Sequence, residues 1–250
     1  VPAARLLGRL PALMPAGLRD LTFYAAGSLP KAPAKVPVPD LAWGMLGNGP
    51  DPSCTVAPQG VGNCGPAGLD HGFLLNAADT AEKEAFPDSG QVVDYYLRYT
   101  GGQDTGVVLS QYLAYVRAQK FYGHTVGAYA PVGVHDIPTL QFAVSSYNWA
   151  YTGITVTQGM MTATDAGQPW TLDTLGSEEL GGHCVIIAGY DSEFLYAITW
   201  GTVQPIAYSA WHYLSDEAWA VMTGEITTAG TDGHGIAVAA LTADLDRLAA

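Results

Sequence analysis

Apolar positions recur along the chain with two different periods, and the change falls near residue 150. Before it, the spacing is helical. In "CGPAGLDHGFLLNAADT" the residues Leu69, Phe73 and Ala77 repeat every fourth position and Pro66 suits a first turn, which predicts a helix from about Pro66 to Asp79. Further helices are expected from about Ser89 to Tyr99, from about Thr105 to Lys120, and over 136–149, the last opening at Asp136 with Pro138 in its first turn. After it, "YTGITVTQG" alternates β-branched with small and polar residues, and "HCVIIAGYD", "FLYAITWG" and "PIAYSAWHY" follow between turn signals, as antiparallel strands do. "DEAWAVM" (216–222) fits a last strand or a short helix, and "TADLDRLAA" reads as a helix. Helices first and strands second make an α+β class.

Ahead of these elements lies a different kind of segment. A short helix within residues 3–26 is limited by Pro11 and Pro15, and "SLPKAPAKVPVPD" (28–40) should be extended, as polyproline II. Residues 47–66, dense in Gly, Pro, Asn and Ser, form a long loop. No internal repeat is present. The expected division is an arm over 1–40 and a domain over 41–250, with a helical part at about 64–149, a β part at about 150–225 and a tail at 226–250.

Composition adds a large core and a lightly charged surface: 48% of residues are hydrophobic and 13% charged. The net charge of −13 is uneven, because residues 1–39 hold five basic residues against Asp20 alone. The acidic body repels phosphate backbones, which argues against nucleic acid as a partner. The basic arm is either a solvated leader or docks on an acidic partner or on its own acidic body. No stretch approaches ~20 uninterrupted apolar residues, so no membrane span is expected. The first residues, broken by Arg9 and several prolines, make a poor secretory signal.

The three cysteines, Cys54, Cys64 and Cys184, form no CxxC and no zinc-ligand spacing with histidines, so no metal is expected. Their odd count leaves at least one thiol free in a monomer, and Cys54 and Cys64 could pair. Cys64 precedes the first turn of the Pro66 helix after a Gly-rich loop. A helix N-terminus carries roughly +0.5 charge and favours a thiolate. His183 opens a strand 120 residues later behind two glycines, and an imidazole near a thiol can take its proton.

Cysteine on a helix in the first half and histidine on a strand in the second is the chain order of papain-like cysteine peptidases. "GNCGPAGLDHGF" resembles their nucleophile helix, "GGHCVIIAGYD" their histidine strand, and "AITWG" takes the place of their Asn-Ser-Trp-Gly strand. With "SLPKAPAKV", "WGMLGN", "TWGTVQPIAYSAW" and "SDEAWAVM", the chain is similar to papain-like proteins encoded by tailed bacteriophages of actinobacteria, from roughly residue 20 to 245. The resemblance implies Cys64 as nucleophile, His183 as base and the Cys64 N–H as one oxyanion donor. The second donor, an amide about six residues before the cysteine, matches Asn48 by motif but sits 16 residues away, as if "PDPSCTVAPQG" were inserted; Gln59 is the substitute by spacing. The Asn or Asp that orients the histidine is replaced: counting 16 residues from His183 reaches Thr199, whose hydroxyl could accept the imidazole N–H, while anchoring on Trp-Gly reaches Ile198. Asp191 is expected to be too distant, His71 to lie on the helix surface, His234 to be a loop residue, and Trp200, Tyr208, Trp211 and Trp219 to be core.

Two functions follow from the resemblance. One is a cysteine peptidase or amidase without cofactor, cleaving a peptide or isopeptide bond in a peptide, a phage structural protein or a cell-wall peptide. The other is a weakly active or inactive papain-fold component of a phage capsid or tail. The implied location is the virion or the host cytoplasm during infection.

Overall fold

The computed structural model describes residues 5–80, 87–224 and 232–249. Helix α1 (Cys64–Thr80) is followed by α2 (Ser89–Tyr99) and α3 (Leu109–Gln119), then β1 (Val126–Pro131), α4 (Ile137–Tyr147) and β2 (Ala150–Thr157). Two short helices, α5 (Gln158–Asp165) and α6 (Leu172–Leu175), lead to β3 (Glu179–Tyr190), β4 (Phe194–Thr199), β5 (Thr202–Ala207), α7 (Tyr208–Leu214), β6 (Ser215–Thr223) and α8 (Val238–Ala249). The six strands form one antiparallel sheet in the order β1-β6-β2-β3-β4-β5. The α+β layout expected from the change of period is the one observed.

The capping chemistry explains where the helices begin. Asp88 accepts the Gln91 N–H at 2.8 Å while Gln91 Oε1 accepts the Asp88 N–H at 2.9 Å, a reciprocal box that starts α2 at Ser89. Asp136 accepts from the Thr139 N–H at 3.2 Å, with Pro138 in the first turn of α4. Asp136→Ala is expected to destabilise the protein by about 1 kcal/mol, read as a lower urea midpoint at unchanged slope. An unchanged midpoint would mean that tertiary packing alone fixes this helix end.

Helix α1 is different in kind. It packs on β3 and is buried nearly all round, from Cys64 through Ala77. Phe73 stacks on His124 and Phe121, and a Cβ on Gly72 would fall 2.4 Å from the Trp149 ring, so small residues let the helix lie flush against the sheet. A helix with no solvated face carries its polar residues inside. Hence His71, expected on the surface, is buried, with Nε2 3.2 Å from the Gly44 carbonyl oxygen.

Other expectations are corrected by the fold. Within 5–26 the only helix is a 3-10 turn, Leu21–Tyr24; residues 3 and 4 of the expected helix lie outside the described residues, as do 226–231 and 250 of the expected tail. "PIAYSAWHY" is not one strand, since β5 ends at Ala207 and Tyr208 begins α7. Strand β1 and helices α5 and α6 carry no clear period and are seen only in the structure. "DEAWAVM" resolves as strand, within β6. Trp200, Trp211 and Trp219 are buried and Tyr208 half-buried, as expected of core aromatics. Among the described residues, no helix is long and apolar enough to cross a membrane.

Candidate active site

Cys64 is the first residue of α1, and its sulfur accepts the Cys184 N–H at 3.3 Å across the helix–sheet junction. His183 lies on β3 opposite Ile154 of β2. One small void, of about 10 Å³, is lined by Asn48, Cys64, His71, His183, Thr199 and Trp200 among others. Its size is near the threshold for a single water molecule. Four of the five residues singled out in the sequence therefore line one void. The fifth, Gln59, is exposed on the loop and does not line the void, so Asn48 is the side-chain amide at the site.

The route by which Asn48 arrives is local. Val61 N–H donates to the Gly47 carbonyl at 2.9 Å and Asn48 Nδ2 donates to the Val61 carbonyl at 3.3 Å, so the two ends of the intervening loop touch. The insertion is looped out, and in space Asn48 precedes the helix by a few residues. Asn63 Nδ2 clamps the same turn by donating to the Leu46 carbonyl at 2.8 Å. The bond from Asn48 to Val61 uses one of the two N–H groups of the Asn48 amide.

The histidine is held from two sides. Nε2 lies 2.7 Å from Thr199 Oγ1, the contact expected from the spacing of 16 residues. The Trp200 ring stacks on the imidazole with centroids 4.3 Å apart and planes 18° apart. Trp200 has φ 46° and Gly201 φ 75°, the pair of left-handed residues that a two-residue β4–β5 hairpin requires. A tryptophan in that region is strained, and here the strain places its ring over His183. Nδ1 is buried and, among the described residues, has no hydrogen-bond partner. In the tautomer whose Nε2–H donates to Thr199, Nδ1 carries a free lone pair, which is the proton acceptor a nucleophilic thiol needs. Asp191, as expected, is elsewhere: it caps the turn after β3 through Glu193, Phe194 and Tyr196.

All three cysteines are free thiols, so the Cys54–Cys64 disulfide left open by the sequence is absent. Burial pushes the Cys64 thiol up to about 11, only partly offset by N–H groups of Cys184, Gly8 and Gly65 and by Arg9. Burial and the nearby Arg9 charge hold His183 down to about 3. Both shifts favour the neutral forms of the two groups in this state.

Part of the burial comes from a segment that sequence motifs did not flag. Residues 5–10, "RLLGRL", run extended through the cleft between β3 and the 104–107 loop. Arg9 N–H donates to the Gly182 carbonyl at 3.2 Å, Val107 N–H to the Gly8 carbonyl at 2.8 Å, and Leu10 N–H to the Val107 carbonyl at 2.8 Å. Arg9 and Val107 pair in parallel. The Gly8 N–H faces the Cys64 sulfur, and Trp200 Nε1 donates to the Leu6 carbonyl at 3.5 Å. Only glycine fits at position 8, because a Cβ there would lie 1.6 Å from the Gly62 carbonyl oxygen. The basic arm thus docks on the chain's own acidic body: Arg5 pairs with Asp165, and Arg9 with Asp216 and Glu217.

A buried neutral histidine destabilises the fold in acid, because the unfolded chain binds a proton that the folded one refuses. With a folded value of about 3 and an ordinary value near 6.5, its contribution is complete above pH 6.5 and is lost as pH falls towards 3. His183→Gln is therefore expected to lose about 2 kcal/mol less stability than the parent between pH 6.5 and 4.5, by urea unfolding at both values. Equal losses would place a charged or solvated histidine in the fold.

No protein-family model matches the chain, and no curated protein does. Among solved structures it is similar to xylellain, a cysteine protease from Xylella fastidiosa, with a TM-score of 0.62 and 15% identity over 88% of this chain and 98% of that one. At that identity the likeness concerns architecture, and together with the helix that carries Cys64 and the strand that carries His183 it establishes the papain-like α+β fold.

Proposed function

We propose that the chain is a cysteine peptidase or amidase held latent by its own residues 5–10. The observation that carries this reading is the convergence on one void of a free thiol at a helix N-terminus, an imidazole with an unpartnered Nδ1, a hydroxyl on its Nε2 and a side-chain amide. In the reaction, Cys64 Sγ bonds to the scissile carbonyl carbon and its proton passes to His183 Nδ1. Asn48 and the Cys64 N–H receive the developing oxyanion. Collapse expels the amine, which takes the proton from His183, and leaves a thioester that water hydrolyses by the same groups in reverse.

Latency follows from what the segment offers the sulfur. The Leu7–Gly8 peptide is trans, so with its N–H towards Sγ its carbonyl oxygen points the other way. The next carbonyl, that of Gly8, is turned to Val107. Neither is presented for attack. A purely structural role gains nothing from an unpartnered buried Nδ1, which is costly unless it is used. Peptides and proteins are the substrate class of this chemistry, and phage structural proteins or cell-wall peptides remain the partners implied by the motif resemblance.

The test is hydrolysis of a mixed peptide library by the Gly8→Leu chain, read by mass spectrometry against the same chain carrying Cys64→Ala. Cleavage that disappears with the cysteine supports the reading. No cleavage by a chain whose Cys64 is accessible would overturn it.

A further inference from the structure

Arg9 is the best-buried cation of the arm, and its guanidinium lies among fixed partners. Its Nη1 donates to Glu217 Oε1 at 3.0 Å, and its Nη2 to Asp216 Oδ2 at 2.7 Å and to the Ile154 carbonyl at 3.4 Å. The Arg9 side chain is 3% exposed, Glu217 0% and Asp216 43%. Glu217 is itself oriented, since its Oε2 accepts the Trp219 Nε1–H at 3.0 Å. Gly153 makes room: a Cβ there would fall 2.8 Å from Arg9 Cδ and 2.7 Å from Glu217 Cγ. The result is a slot with one carboxylate at its floor and a second at its rim.

Two features make the slot part of the substrate cleft. Gly153 pairs with Cys184, the neighbour of His183, so the slot opens one strand away from the site. The main-chain groups that bind the arm (the Gly182 carbonyl and both polar groups of Val107) also do not depend on side chains. An extended peptide can add to such edges in either direction and drops alternate side chains into the same pockets. The arm lies in the direction that hides its carbonyls. The subsite requires a substrate lying in the other direction, with a carbonyl towards Cys64 and a basic side chain in the same pocket.

Resting on the proposed peptidase reading, we infer that Glu217 and Asp216 form a specificity subsite for an arginine or lysine side chain of the substrate, which Arg9 fills in the latent chain. A removable basic occupant fits such a slot because a buried carboxylate without a cation is unfavourable, and burial already raises the Glu217 carboxyl, with Trp219 and Arg9 opposing.

The experiment uses the full chain with Gly8→Leu, chosen to displace the arm, with faster Cys64 alkylation as the check that it has left the cleft. Fluorescent peptides differing only by Arg, Lys, Leu or Glu at one position are measured twice: for binding in the Cys64→Ser form and for cleavage in the Cys64 form. The Arg and Lys peptides are expected to bind at least about tenfold more tightly than the Leu peptide, with the Glu peptide weakest. Glu217→Gln should bring the Arg-to-Leu ratio near one, and the milder Asp216→Asn, on the half-exposed rim, should reduce it. Circular dichroism confirms the fold of each. Arg-dependent binding without cleavage would keep the subsite and overturn the peptidase reading. Cleavage or binding indifferent to the basic residue, or no peptide binding at all, would overturn the subsite.

Discussion

Replacing Gly8 with leucine raises the rate at which iodoacetamide alkylates Cys64 at pH 7 by about a hundredfold or more. The expectation is steric first. The Gly62 carbonyl oxygen stands 1.6 Å from where a Cβ at position 8 would be, and both partners are backbone, so a side chain cannot be absorbed by a rotamer change. The segment must leave the cleft. Its departure uncovers the thiol whose burial holds it at about 11 and removes the Arg9 charge that, with burial, keeps His183 at about 3; these gains outweigh the loss of the Gly8 N–H and of the Arg9 charge, which favour the thiolate. A thiol returned merely to an ordinary value near 8.5 has roughly 300 times more thiolate at pH 7 than one at 11. Opening of the cleft and an imidazolium partner add to that factor. Intact mass after timed labelling reads the rate, with Cys64→Ser identifying the site. An unchanged rate would mean that residues 5–10 do not control access.

The second large effect is on turnover. In the Gly8→Leu chain, His183→Ala is expected to lower peptide hydrolysis by about 10²–10⁴-fold, the range for a general acid–base. Thr199→Val tests the orientation of the same ring more gently. It keeps the shape and removes the oxygen 2.7 Å from Nε2, so the tautomer with a free Nδ1 loses its anchor. A loss of about tenfold to a hundredfold is expected, in line with an unsatisfied buried donor. Thr199→Asn restores an acceptor and should recover much of the rate. If valine and asparagine behave alike, the hydroxyl is a packing group only.

How much of this was legible in the sequence depended on the range over which each feature is specified. Helices α2 and α4 have their caps written beside them, at Asp88 and Asp136, and their starts fall where the residues predict. Strand β1, "VGAYAP", lacks an alternation to read, because the strand is buried along nearly its whole length. "YSAWHY" is a short apolar run, and in such runs helix and strand share one pattern. The Cys64–His183 convergence was readable only through family motifs. Spacing alone would have promoted Gln59, because sequence distance counts a loop whose ends meet through Val61 and Gly47. Arg9 and Glu217 left no local trace: they are 208 residues apart, and the charge asymmetry said only that a basic arm could dock on an acidic body.

The measurement that tests the central claim most directly is the pH dependence of Cys64 alkylation in the Gly8→Leu chain, from pH 4 to 9, with and without His183→Ala. A Cys64–His183 pair predicts fast labelling already at pH 5 to 6 that nearly levels off, and its loss in the alanine variant. Labelling that climbs only near pH 8.5, the same in both chains, would show an ordinary thiol beside an idle histidine and would contradict the account.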